Sequence, residues 1–241
     1  MWSWPTSRAA YGLKAAKPSA RVDQQNDVRV LNTQLSYDRL ADEYVRRIYD
    51  ELKDKPLDCQ LLDQFSTRVQ GNGRVCDLGC GPGHLARYLR DRGVEIFGVD
   101  LSAELVERAR RLNPGIEFRQ GDMYALEAPD QSWAGIVAFY SIIHIPRIDL
   151  AKIFVEMRRV LRPAGLLLLA FHLGDEVMHF DELWGSKVAL DFYLFRCEAV
   201  ADSLRVAGFE VEQVTERDPY PQVEAQTRRG YIFARRSEEE Q

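Results

Sequence analysis

The residues able to do chemistry fall into three short clusters. The first, Asp77-Leu78-Gly79-Cys80-Gly81-Pro82-Gly83, sets three glycines behind a carboxylate. Glycines at such a turn permit tight curvature and let a ligand approach the backbone closely. Their G-x-G-x-G spacing differs from the G-x-G-x-x-G of dinucleotide sites. A pyrophosphate resting here would also meet the Asp77 carboxylate, an unfavourable like-charge pair, whereas an ammonium or sulfonium would be attracted. The second cluster is Gly98-Val99-Asp100-Leu101-Ser102. It places Asp100 about 20 residues past the glycines, where an acid accepts hydrogen bonds from ribose hydroxyls. Ser102, with Glu104 just after it, suits a helix N-cap and leaves Asp100 for the ribose. In the third, Gln120-Gly121-Asp122-Met123, the acid can accept from an adenine amino group while the thioether packs on the base. The three together describe a nucleoside site for a positively charged guest.

Each cluster follows a short apolar stretch, and those stretches alternate with amphipathic ones. Strands are expected over Arg74–Leu78, Glu95–Val99, Ile116–Arg119, Ile136–Phe139 and Leu166–Phe171. Helices are expected over Leu85–Asp91, Leu105–Leu112 and Ile148–Leu161. Leu166–Phe171 is apolar at nearly every position, as when both faces of a sheet are covered. After a helix at Ala199–Val206 come two strands with no helix between them, Phe209–Thr215 and Tyr231–Ala234, which read as an antiparallel hairpin. The fold class is therefore α/β: a doubly wound, mainly parallel Rossmann-like sheet of seven strands closed by that hairpin. In such sheets the ligand lies beyond the carboxyl ends of the strands, where all three clusters stand. Ahead of the sheet, Leu40, Tyr44, Val45 and Ile48 make an apolar stripe, so Ser36–Lys53 reads as a helix. A second helix over Leu57–Val69 ends at the Gly71-Asn72-Gly73 turn.

A chain of 241 residues with 46% hydrophobic and 29% charged residues is ordinary for one sizeable domain. A net charge of −5 argues against a protein that lives by gripping phosphate backbones. No apolar run approaches the roughly 20 residues that cross a bilayer. Four cysteines make no disulfide framework, and Cys76 and Cys80 lack the second pair a zinc site needs, so no metal is expected. The default compartment is cytoplasmic. Residues 1–34 read as a flexible basic extension: Met1–Val22 carries Arg8, Lys14, Lys17 and Arg21 and no acid. Such a start also has the composition of an organellar transit peptide.

The runs Val75–Gly83, Gly98–Ser102 and Gly121–Met123, with Gly135–Pro146 and Glu156–Gly165, together resemble the class I S-adenosylmethionine-dependent methyltransferases. The likeness runs from Ser36 to about Arg236, in residues 35–241. Ala134 stands where members often have Asp. The resemblance implies S-adenosylmethionine as cofactor, with Gly79, Cys80, Gly81 and Gly83 beside its methionine and ribose. It assigns Asp77 to the ammonium, Asp100 and Leu101 to the ribose, Asp122 and Met123 to the adenine, and Ala138 to the adjoining strand end. It makes residues 35–70 a helical lid with Tyr37 over the cofactor, and residues 172–195 an insertion roofing the acceptor pocket. It also sets the run Ala138-Phe139-Tyr140-Ser141 nearest the transferred methyl, which makes Tyr140, with His144 and His172, a catalytic candidate. The Asn- or Asp-Pro-Pro-aromatic signature of base-methylating members is missing there, which points to a small-molecule acceptor and away from nucleic acid.

On the acceptor side several residues keep two readings. His144 is either a general base, worth ~10²–10⁴-fold, or a ring bonded to loop backbone. His172 ends a strand and either contacts substrate or caps. His179 and Trp184 line an acceptor pocket or a solvated loop, and Tyr44 packs in the core or joins the lid. Arg229, with Arg228, binds a carboxylate or is surface charge. Two other functions share these motifs: a non-catalytic S-adenosylmethionine-binding subunit and a nicotinamide-dependent oxidoreductase.

Overall fold

The computed structural model describes residues 20–238, with side chains from 27 onward. The first part of the basic extension therefore lies outside the described residues. The second part does not: α1 runs from Ala20 to Ile48, so residues 20–34 belong to the helix that the apolar stripe foretold only from Ser36. A 3₁₀ turn at Glu51–Asp54 leads into α2 (Pro56–Val69), whose proline at the first position needs no helical N–H partner.

The elements β1 (Val75–Leu78), α3 (His84–Arg90), β2 (Ile96–Asp100), α4 (Ala103–Leu112), β3 (Glu117–Gln120) and β4 (Trp133–Phe139) then alternate. After them come α5 (Leu150–Val160), β5 (Leu161–His172), α6 (Cys197–Val206), β8 (Phe209–Arg217) and β9 (Arg229–Arg236), with β6 (Val177–Leu183) and β7 (Ser186–Tyr193) preceding α6. The seven-stranded sheet has the order β3-β2-β1-β4-β5-β9-β8. The first five of these strands pair in parallel, and β9 lies antiparallel between β5 and β8. This is the expected doubly wound sheet with its closing hairpin. The reversal sets the start of β9 against the end of β5, with Arg229 opposite His172.

Alternation divides the buried strands between two apolar clusters, one on each face. Ile136 and Ala138 of β4 join one cluster, with Leu167, Leu169 and Phe171 of β5, α5 and α6. Val137, Phe139, Leu166, Leu168 and Ala170 join the other, with α2, α3 and α4. Such two-sided burial is what makes β5 read as an unbroken apolar run.

Residues 172–195 hold a separate antiparallel hairpin, β6–β7, turning at Trp184 and Gly185, both at positive φ. Two successive left-handed residues give the turn a twist that matches its strands. Helix α1 packs on β7 and α4. Ser36 Oγ accepts from Ala189 N at 2.9 Å, and Asp38 accepts from Ser102 Oγ at 2.6 Å and Glu104 N at 3.2 Å. An acid at the exposed N–H groups of α4 is favourably placed. None of the four cysteines is in a disulfide. Among the described residues no helix is long and apolar enough to cross a membrane, and no cluster of His, Cys, Asp or Glu could hold a metal.

Candidate active site

The switch point of the sheet, where β1 has β2 on one side and β4 on the other, opens a cleft beyond the strand ends. Gly79 and Gly81 line it with left-handed φ of 76° and 51°. A Cβ on Gly79 would sit 2.3 Å from Ser141 Cβ, so only glycine fits there. Asp100 lies at the cleft wall and organises the loop. Its Oδ2 accepts from Gly81 N at 2.7 Å, and its Oδ1 accepts from Ser102 N at 2.9 Å. Burial outweighs these donors and lifts the carboxyl to about 6. Ser102 caps α4 through Leu105 N, the N-cap role read for it. Leu101, Asp122 and Met123 complete the sequence-read lining; Asp122 accepts from Tyr124 N at 2.9 Å and is raised by burial.

Four of the expected cofactor residues do not line this cleft. Asp77 is fully buried beneath the glycine loop, where Oδ2 accepts from Ala86 N at 3.1 Å and Oδ1 has no partner. Burial pushes this carboxyl up to about 8. Gly83 instead starts α3 at a φ of 77°, and a Cβ there would lie 2.6 Å from the Phe118 ring. Cys80 and Ala138 are buried in the two apolar clusters. Helix α1 supplies further lining: Tyr37, expected over the cofactor, with Arg29, Val30, Thr33 and Tyr44.

A second cavity of about 450 Å³ adjoins the first. Tyr37, Tyr44 and Tyr140 line both, so three tyrosines form the shared wall. Phe180, Leu183, Trp184 and Phe192 of the hairpin line the second cavity, as do His172, Lys55, Glu224 and Arg229. Trp184 is thus a pocket residue. His179 is not: it is exposed and bridges Asp191 at 2.7 Å and Asp181 at 3.2 Å.

The three expected catalytic groups are all engaged. Tyr140 stands at a φ of 53°, rare for an aromatic residue, and its hydroxyl contacts Asp58 at 3.3 Å and Tyr231 at 3.1 Å. Burial raises it well above the ordinary tyrosine value. His172 Nδ1 pairs with Thr227 Oγ1 at 2.7 Å, and burial with nearby Arg229 and Lys55 holds the ring well below the usual imidazole value. His144 lines the first cleft, with Nε2 2.7 Å from Tyr37 Oη and Nδ1 3.0 Å from the Asp191 carbonyl. A carbonyl only accepts, so Nδ1 carries the proton and Nε2 takes the Tyr37 hydroxyl. Burial pushes this ring down to about 4.

Behind the shared wall lies an ionic network absent from the sequence reading. Asp58 accepts from Arg217 at 2.9 Å and Tyr231 at 2.8 Å, and Arg217 also binds Glu224. Arg228 is the surface residue of its pair, set against Glu216 and Asp218, while Arg229 is buried.

Residues 75–165 match the family model described as a methyltransferase domain. The chain is 32% identical over 161 residues to a phosphatidylethanolamine N-methyltransferase from Cereibacter sphaeroides, covering 64% of this chain and 73% of that one. The chain belongs to the class I S-adenosylmethionine-dependent methyltransferases. Over 152 residues it is 28% identical to the sterol 24-C-methyltransferase ERG6B of Gibberella zeae, which takes in 57% of this chain and 40% of that one. It spans less than half the length of the first curated relatives it matches. The structure of DhpI with SAH shares the fold, with a TM-score of 0.68 and 20% identity over 88% of this chain and 99% of that one.

The site fits the methyltransferase cofactor on its own geometry. Gly81 leaves room beside the Tyr44 ring that a Cβ would fill, Gly79 lets the loop close on Ser141, and Asp77 keeps a buried oxygen without a donor. Membership of this family removes the nicotinamide-dependent alternative.

Proposed function

We propose that this chain transfers the methyl group of S-adenosylmethionine to a small organic acceptor held in the second cavity. The observation that carries the reading is the wall of Tyr37, Tyr44 and Tyr140 shared by the nucleoside cleft and the acceptor cavity. When bound, S-adenosylmethionine supplies a methyl group on a sulfonium, open to in-line displacement. The chain's own contribution is positional. Gly79 and Gly81 admit the cofactor's backbone-facing edge, Asp100 takes the ribose, and Asp122 with Met123 takes the adenine. Asp77 answers the ammonium from below the loop. Tyr37, held by His144, closes the cleft from the lid side, and the hairpin excludes water from the acceptor. Alignment of this kind contributes ~7–11 kcal/mol in favourable cases, enough that no strong base is required. With Tyr140, His144 and His172 all engaged and neutral, the acceptor atom is one that needs no strong base to react.

Relatives named for phosphatidylethanolamine, sterol and malonyl-acyl-carrier-protein methylation span lipid and carrier-bound acceptors. A tritiated-methyl assay over cell-extract fractions tests the reading. Label should pass to a small molecule. Calorimetric binding of S-adenosylhomocysteine with no labelled product in any fraction would favour a non-catalytic binding subunit instead.

A further inference from the structure

We propose that the acceptor carries a carboxylate, gripped where Arg229 and Lys55 meet the second cavity, with an apolar or aromatic body against the β6–β7 hairpin. This rests on the proposed use of that cavity for the acceptor. The wall has two characters. The hairpin gives it Phe180, Leu183, Trp184 and Phe192. The turn before α2 gives Lys55, the loop before β9 gives Glu224, and the start of β9 gives Arg229.

In the second part, hydrogen-bonding capacity is unevenly spent. Both oxygens of Glu224 accept from Arg217, and Oε1 also accepts from Tyr220 N at 2.8 Å. Arg229 and Lys55 stand a further 3.3 and 3.5 Å from Oε2. Glu51 accepts from Lys55 at 2.7 Å and faces His84 Nε2 at 3.2 Å. These carboxylates have no need of another donor. The guanidinium does need an acceptor. Arg229 is 2% exposed; its two terminal nitrogens bond Ala225 and Thr227, but its Nε has no partner. A buried donor left unmade is costly, and a shift of the guanidinium toward a carboxylate in the cavity would satisfy it through a charge-assisted bond. Lys55 adds its charge from the same wall, 5.2 Å from the centre of the Tyr140 ring. His172, opposite Arg229 across the β5–β9 register, is held neutral first by burial, with Arg229 and Lys55 adding to the effect. An ammonium head would meet saturated acceptors and two buried cations. Of the other charged groups on the wall, Glu182 is exposed and Arg47 pairs with Glu43 over the Trp184 ring.

The test is calorimetry on the full chain saturated with S-adenosylhomocysteine, using matched pairs that differ in head charge: benzoate and benzylamine, 4-hydroxyphenylacetate and tyramine, octanoate and octylamine. At least one carboxylate should bind tenfold or more tightly than its amine. Arg229→Lys keeps the charge but removes the Nε–H, and should weaken that carboxylate at least fivefold while S-adenosylhomocysteine affinity stays within twofold. If Arg229→Lys does not fold, Lys55→Gln should weaken the carboxylate at least threefold. Amines binding as tightly as carboxylates, or no carboxylate binding at all, overturns the proposal. Failure to bind S-adenosylhomocysteine would instead overturn the cofactor reading.

Discussion

The Tyr37 hydroxyl donates to Nε2 of His144 across 2.7 Å, tying the covering helix to the loop after β4. Because the other ring nitrogen donates to the Asp191 carbonyl, one imidazole joins α1, the β4 loop and β7. We therefore read His144 as a positioning residue. Burial holds it near 4, below its unfolded value of 6.5, so between these pH values the unfolded chain binds more protons. Its contribution to stability is complete above pH 6.5 and is lost as pH falls toward 4, by about 3 kcal/mol at most. Denaturant titrations of wild type and His144→Gln should show a shallower acid loss in the variant. Equal slopes would remove the ring from this role.

Asp77 predicts a proton count. Its carboxyl, raised to about 8, is mostly protonated at pH 7 and should ionise when an ammonium arrives beside it. Binding of S-adenosylmethionine at pH 7 should therefore release about one proton, measured by calorimetry in buffers of different ionisation enthalpy. Without ligand, the raised value favours the folded state below the unfolded value of 3.8 and loses that advantage as pH rises through about 8. Asp77→Asn should abolish the proton release and flatten that decline. Release unchanged in Asp77→Asn would assign the proton elsewhere.

Asp100 does two jobs, holding Gly81 N and Ser102 N while facing the cleft. Asp100→Ala should weaken S-adenosylhomocysteine more than tenfold, since charged hydrogen bonds contribute roughly 1.5–3 kcal/mol each. Asp100→Asn keeps an acceptor for one backbone N–H and should lose less. Equal affinity in wild type and Asp100→Ala would place the ribose elsewhere.

Gly79→Ala tests the close approach of the loop to Ser141. The added methyl meets a Cβ at 2.3 Å and sits at a φ of 76°. Cofactor affinity should fall at least tenfold, with a loss of ~1 kcal/mol or more in stability from the left-handed backbone alone. Ser141→Gly in the same chain should recover part of the affinity. No change in either measurement would show that the loop has room to spare.

What could be read from the sequence was whatever followed from strand ends. Gly79, Gly81, Leu101, Asp122 and Met123, with Asp100 as the last residue of β2, are on the cleft because a doubly wound sheet opens its site at the carboxyl ends of the strands. Asp77 and Ala138 each stand one residue before the last residue of their strand, and their side chains are enclosed. Cys80 and Gly83 fall on the packed side of the turn, a choice set by tertiary contacts with β3 and α4. The hairpin did carry a signal: Val188, Leu190 and Phe192 alternate as buried residues beyond Trp184-Gly185. Tyr44 lay on an apolar stripe and reads as core, yet lines both cavities, because α1 lies over the site as well as the core. The Asp58–Arg217–Glu224 network joins residues more than 150 positions apart for its longest link, and no local pattern announces it.

The segment matched by the methyltransferase model ends at residue 165 and carries the floor of the nucleoside cleft. Of the acceptor cavity it carries only Tyr140 and Ile143; the remaining lining is drawn from 37–55, 172–192 and 223–229. On the proposed reading, donor handling and acceptor choice draw on largely different stretches of chain that meet at Tyr37, Tyr44 and Tyr140. If so, mutation in the hairpin or the final loop should retarget the molecule toward new compounds while its grip on the nucleoside stays intact.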